Sequence, residues 1–348
     1  MNGVHTPAGV VLFTGLELNS IERFPDDHVV FVQDHIGSGD GPDTAQDRFL
    51  DLLENQSPGA TVAIEYARAD EITQQNSRVI CWPIQTWFVC QTLARFVPAD
   101  AWAPKSAAFN FMVNKPRPNR VHLVDQLNEL GIDTEYYSMP WPDRGSYQRR
   151  CWINPDMTVT EDQILNGNVS NVEIYQAWLK SQVFEPTVIS LVTEPAWHEQ
   201  AFFVSEKTVW AWEAGTIPIW VGSWAAADTM ADLGFDPFYD IVDHAYQRES
   251  DPERRLRMAV ECNQDLLRDT ERCVELWHQH RDRFEFNRRH MRSGEWLQEL
   301  VMRELRRTDV PAADLAQLMF YTLSDHSNYE SNLLTQRQNC SIMINHKE

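Results

Sequence analysis

The sequence predicts an α/β protein built on parallel sheets, and three observations carry that prediction. Short β-branched runs alternate with helical spacing over the first hundred residues. The alternation restarts after a proline-bounded stretch, 98–104. Residues 187–222 then read strand, helix, strand at the length of one crossover unit. Interleaving of this kind builds a sheet with helices on its faces. A strand–helix–strand unit joins parallel neighbours through a right-handed crossover.

In chain order, residues 10–13 and 28–32 are β-branched runs bounded by turn residues. A glycine- and aspartate-rich loop covers 37–42, and 44–54 has helical spacing with Phe49, Leu50, Leu52 and Leu53 inward. Residues 60–64 and 79–82 are further strands. Beyond the linker come a strand at 107–113, a basic loop at 114–120, a helix at 121–130 closed by Gly131, and a strand at 134–137. The stretch 138–186 is irregular, with one helix near 172–179. Within the crossover unit, a strand at 188–192 leads to a helix opening at Ser205, Glu206 and Lys207. A turn at Ala214, Gly215 and Thr216 then precedes a strand at 217–221. Helices are expected at 224–233, 253–268, 270–291 and 294–306, and the tail after Asn328 is polar. The division that follows is an α/β domain at 1–103, a second at 104–270, and a helical end at 271–348. A chain of 348 residues exceeds one typical domain.

Composition narrows the function. No apolar run reaches eighteen residues, so no membrane span or membrane partner is expected. The first residues lack a basic flank and a long apolar stretch, which points to a cytoplasmic protein. The six cysteines contain no Cys-x-x-Cys pair and read as reduced, mostly buried thiols. A formal charge of −21 opposes non-specific nucleic-acid binding. That charge is uneven: residues 1–104 hold five basic and fourteen acidic side chains, whereas 248–307 hold fourteen arginines. An anionic ligand is therefore expected to meet the second half. No Asp-x-Asp, Walker loop, Gly-x-Ser-x-Gly or Gly-x-Gly-x-x-Gly is present.

Lys207 is the unusual residue. Dipole arguments favour acids in a first helical turn, so a lysine there calls for an anion, such as a nucleotide diphosphate. Glu206 beside it can accept from ribose hydroxyls; the alternative is a pair of solvated first-turn residues. With five lysines against twenty-five arginines, a lysine at this place runs against the composition. Ser190-Leu191-Val192-Thr193-Glu194, then Ser205-Glu206-Lys207, then Ala214-Gly215-Thr216-Ile217-Pro218-Ile219 and Gly222 follow one another in order. This run resembles the donor-binding segment of the α-1,3-fucosyltransferase family, and related segments of small viral and phage glycosyltransferases. The chain departs from the family at Pro195-Ala196, where Asn-Ser would follow the glutamate.

The resemblance implies a GT-B architecture: two Rossmann-like α/β domains facing across a cleft, with a late helix crossing back to the first. It implies transfer of a hexose or deoxyhexose from a nucleotide-sugar, GDP- or UDP-linked, to a hydroxyl acceptor; the absence of Asp-x-Asp points to a reaction with no metal, and no other cofactor is expected. A glycan acceptor follows from the family. A hydroxymethylated DNA base is the competing acceptor, as in compact phage enzymes, and a non-catalytic nucleotide-sugar or glycan-binding protein is the remaining reading.

Sugar transfer needs cations or amides on the departing diphosphate and a base for the acceptor. Lys115, Arg117 and Arg120 lie where a strand gives way to a helix, so guanidinium groups and helix dipole would converge there; a solvated basic turn is the alternative. Glu194 ends a core strand, where open α/β sheets place ligand contacts. With Ser205, Glu206 and Lys207 it completes the expected donor set. Glu213, Asp243 and Tyr246 are weaker donor-side candidates. Asp34 and His35 end the second strand and Glu65 ends the third, making these the candidates for general base, with Glu17 behind them.

Overall fold

All six residues of β6 (Ala107–Met112) are buried, and so are all six of β8 (Thr187–Val192). That is the mark of parallel strands covered on both faces. The computed structural model describes residues 4–5, 10–14, 22–23, 29–33, 52, 60–64, 79–81, 90, 94, 101–113, 116–150, 183–194, 197, 204–307 and 314. Asp34, His35, Glu65, Lys115 and Glu17 lie outside these residues, as do the helix expected at 172–179, the polar tail, and all of the helix expected at 44–54 except Leu52.

Two sheets are formed. The first runs β1 (Val4–His5), β2 (Val10–Thr14), β3 (Val29–Gln33), β4 (Val62–Ile64), β5 (Val79–Cys81) in sequence order. β2 to β5 are parallel, and β1, not anticipated from the sequence, adds an antiparallel edge.

The second sheet has the order β7-β6-β8-β9, with β7 at Tyr137–Ser138 and β9 at Ile217–Trp220, and every pairing in it is parallel. Pro218 is tolerated in β9 because β9 is the edge strand of the described sheet. The chain leaves β6 toward β7 on one side and returns to β8 on the other. The direction of winding therefore reverses between β6 and β8.

Helices follow these strands. α1 (Pro118–Glu129) links β6 to β7 and starts three residues earlier than its apolar spacing suggests. Its prolines do not delay it, since Pro118 occupies the first helical position, where no N–H is needed. α2 (Glu206–Glu213) links β8 to β9 and is capped by Ser205. α3 (Ala226–Asp232) comes next. The helix expected at 253–268 is two, α4 (Pro252–Glu261) and α5 (Gln264–Arg268). Asn263 between them gives its side chain to both the N–H and the carbonyl of Asp243. The helix expected at 270–291 also divides, into α6 (Thr270–Gln279) and α7 (Arg281–Ser293), and α8 (Glu295–Arg307) follows.

The core of the second sheet is aromatic as well as aliphatic. Phe111, Tyr137 and Tyr147 meet in pairs at 5.3, 5.2 and 5.0 Å between centroids. Each such pair contributes about 0.5–1.5 kcal/mol beyond the area it buries. α6 packs on β6 and β8, and α7 packs on α2. Glu213, 3% exposed, closes that second contact by pairing with Arg288 at 2.7 Å and with Arg292. The end of the stretch read as a linker is docked instead. Trp102 Nε1 donates to the Glu213 carbonyl at 2.7 Å, and buried Lys105 donates to the Ala214 carbonyl at 2.7 Å. Burial holds the Lys105 ammonium well below its usual pKa. α8 contacts β5 of the first sheet, and Thr61 donates to Asp314 at 2.6 Å. No helix among the described residues is long and apolar enough to cross a membrane.

Candidate functional site

In an open parallel sheet, the crevice outside the carboxyl ends of the strands, where the winding reverses, is the place that loops leave open. Here that place lies between β6 and β8. α1 begins beyond β6 and α2 beyond β8, so both helices direct N-terminal amides and the positive ends of their dipoles toward this edge.

The β8 side is built around Glu194, 1% exposed. Its Oε1 accepts from the Ser205 N–H and from the Thr208 hydroxyl, both at 3.0 Å. Thr208 in turn accepts from Trp220 Nε1 at 2.9 Å. The carboxyl therefore fastens the end of β8 to the first turn of α2 and, through Thr208, to β9. Burial raises its pKa; Lys207 and the hydrogen bonds from Ser205 oppose that shift without cancelling it. Glu194 Oε2 is buried with no hydrogen-bond partner.

Ser205 caps α2 by accepting from the Lys207 N–H at 3.2 Å. Lys207 Nζ pairs with Glu206 Oε1 at 2.6 Å, the two side chains being 16% and 20% exposed. The first-turn lysine thus has an internal counter-ion, and the amides of Ser205, Lys207 and Thr208 at this helix end are already used.

The β6 side differs. α1 has no side-chain cap and no acid in its first turn. Arg117, at the N-cap, is partly buried and leaves its Nε without a hydrogen-bond partner, and Arg120 is 6% exposed. Asn119 Nδ2 donates to the main-chain oxygen of Glu194 at 2.9 Å, joining the two sides across the reversal.

The wall beyond β9 is held by Arg255, which is fully buried. Its three nitrogens donate to the carbonyls of Gly222, Glu249 and Trp197, each at 2.7 Å, and its guanidinium lies 5.5 Å from the Trp224 ring centroid. One side chain thereby ties the segment after β8 to the segment after β9.

The structure gathers Arg117, Arg120, Glu194, Ser205, Glu206 and Lys207 at this carboxyl-end edge. It does not place Glu213 or Tyr246 there as ligand contacts. Glu213 is consumed by Arg288 and Arg292, and Tyr246 is fully buried with its hydroxyl on the Trp220 carbonyl at 3.1 Å. Asp243 accepts from the Ala245 N–H at 2.8 Å within a turn. Trp210, Trp212 and Trp220 are core residues.

Asn119 and Arg255 are the participants that the sequence reading missed. Arg255 left a signal: it sits on the same stripe of α4 as Leu256, Ala259 and Val260, where an arginine needs partners. Asn119 left none, because the 114–120 stretch reads as loop. No family model matches this chain, and no curated protein or solved structure matches it either.

Proposed function

We propose that this chain is a nucleotide-sugar-dependent glycosyltransferase whose donor diphosphate lies in the crevice between β6 and β8. The observation that carries this reading is that two helix N-termini open where the winding reverses, with Arg117 at the N-cap of α1 and Arg120 and Lys207 in the first turns of α1 and α2. Such a set stabilises negative charge that grows on a departing nucleoside diphosphate. The uncapped end of α1 is the better anion seat, since Ser205 and Glu206 already occupy part of the α2 terminus. Glu194 supplies acceptor capacity for sugar or ribose hydroxyls, and holds β8 and α2 in fixed relation. In the GT-B reading, the first sheet brings the acceptor and its general base, and α8 against β5 is the returning element.

A glycan acceptor is favoured over a DNA base. A DNA backbone would need the arginines of the C-terminal helices, and many of those arginines are engaged internally. Arg283 pairs with Asp236 and Asp240, Arg288 and Arg292 hold Glu213, and Arg281 lies over the Trp102 and Trp277 rings. Side chains used this way are not available for a phosphate backbone.

The test is release of nucleoside diphosphate from a panel of GDP-, UDP-, ADP-, CMP- and dTDP-sugars. Slow hydrolysis of one donor class is expected without an acceptor, reduced about tenfold or more in an Arg117→Ala/Arg120→Ala double variant, the loss expected for charged hydrogen bonds. Absence of release from every donor, with or without glycan acceptors, would overturn the reading as an enzyme.

A further inference from the structure

Asn119 occupies the second position of α1 and is 1% exposed. Its amide orientation is fixed by chemistry: the Glu194 carbonyl can only accept, so the nitrogen must face it. The Oδ1 atom is thereby turned away from Glu194, buried and without a hydrogen-bond partner. Glu194 Oε2 is a second buried acceptor in the same condition, on the residue that Asn119 holds. Folded proteins rarely leave such atoms unfilled, and each unfilled one is costly.

Asn119 Oδ1 belongs to the first turn of a helix with no side-chain cap and with Arg117 at its N-cap, whereas Glu194 Oε2 belongs to the carboxyl that Ser205 and Thr208 hold at the start of α2. The edge therefore presents two chemistries within one turn, donors for an anion and acceptors for hydrogen-bond donors. A bare phosphate satisfies only the first, because its oxygens repel Asn119 Oδ1. A phosphate carrying an adjacent hydroxyl satisfies both.

We infer that Asn119 determines specificity in this crevice, its Oδ1 accepting a hydrogen bond from a hydroxyl next to the ligand phosphate. That hydroxyl belongs to the ribose of the nucleotide or to the transferred sugar. The inference rests on the donor-site reading given above and extends it from charge to hydroxyl recognition.

The experiment titrates the full chain, wild type and Asn119→Ala, with pyrophosphate, nucleoside diphosphate and nucleotide-sugar. Asn119→Ala should bind pyrophosphate as wild type does and bind nucleotide-sugar about tenfold more weakly, as for one lost hydrogen bond. Equal weakening of nucleoside diphosphate assigns the hydroxyl to ribose, and an effect confined to nucleotide-sugar assigns it to the sugar. A parallel series keeps the test independent of the variant's folding: wild type is titrated with ligands lacking one ribose or sugar hydroxyl. One deletion should weaken binding by the same factor in wild type and have no effect in Asn119→Ala. Equal weakening of all three ligands by Asn119→Ala, or no weakening, would overturn the inference, as would a deletion series in which no hydroxyl matters. A wild type that binds pyrophosphate without preferring nucleotides defeats this inference alone. A wild type that binds none of the three defeats the donor site itself.

Discussion

Glu194 is surrounded by protein on both sides, between the end of a strand and the start of a helix, so its charge loses water that two hydrogen bonds only partly replace. The folded carboxyl keeps its proton to a higher pH than the unfolded one, which titrates near 4.5. Between those two pKa values the folded state binds more protons, and stability falls as pH rises through that window. Glu194→Gln removes the titration while keeping an acceptor for Ser205 and Thr208. It should flatten the decline of the urea midpoint above about pH 4.5 and raise the midpoint at neutral pH. Parallel wild-type and variant curves would assign the titration to other groups. The position of Glu194 was legible, because a glutamate that follows a strand-like run rich in Val, Ile and Thr falls at the strand's carboxyl end. Its partners were not: Ser205 and Thr208 lie eleven and fourteen residues away, and spacing alone does not say that a chain returns. Asn119 was illegible for the same reason, since its meaning lies in a contact to a residue seventy-five positions later.

Among the elements, the turn between α2 and β9 shows how a local signal and a distant contact combine. Gly215 has φ +65°, and a Cβ there would lie 2.7 Å from the Trp102 ring. Gly131, after α1, has φ +61° with open space around it. Gly131→Ala should therefore cost only the left-handed backbone strain, about 1–3 kcal/mol. Gly215→Ala should cost more, because Trp102 is held by its bond to the Glu213 carbonyl and by Arg281 and Arg288 near its ring. Guanidinium denaturation of both variants checks this; equal losses would show that Trp102 yields freely. The turn itself was readable from Ala-Gly-Thr between helical and strand patterns. The docking of Trp102 was not, because proline-rich flanks suggest a free linker. The splits at Asn263 and His280 escaped for a related reason: apolar periodicity runs through both, and only the bond from Asn263 to the Asp243 backbone reveals the first break.

For the molecule as a whole, the α/β class and the parallel sheets were legible, since alternation of helical spacing with short, largely apolar strands leaves few other architectures. The strand order β7-β6-β8-β9 was not, because nothing in a strand's own sequence names its neighbour. Yet that order is what creates the crevice. The charge distribution was read correctly in amount and incompletely in use: the basic half is rich in arginine, but Arg283, Arg288 and Arg292 serve the fold. The most direct measurement is isothermal titration of the full chain with GDP- and UDP-sugars, beside Arg117→Ala/Arg120→Ala and Lys207→Ala. Wild type should bind one nucleotide class, with affinity reduced about tenfold or more in the double variant and by less in Lys207→Ala, whose charge is shared with Glu206. A wild type that binds no nucleotide-sugar, or variants that bind as tightly as wild type, would contradict a donor site between β6 and β8.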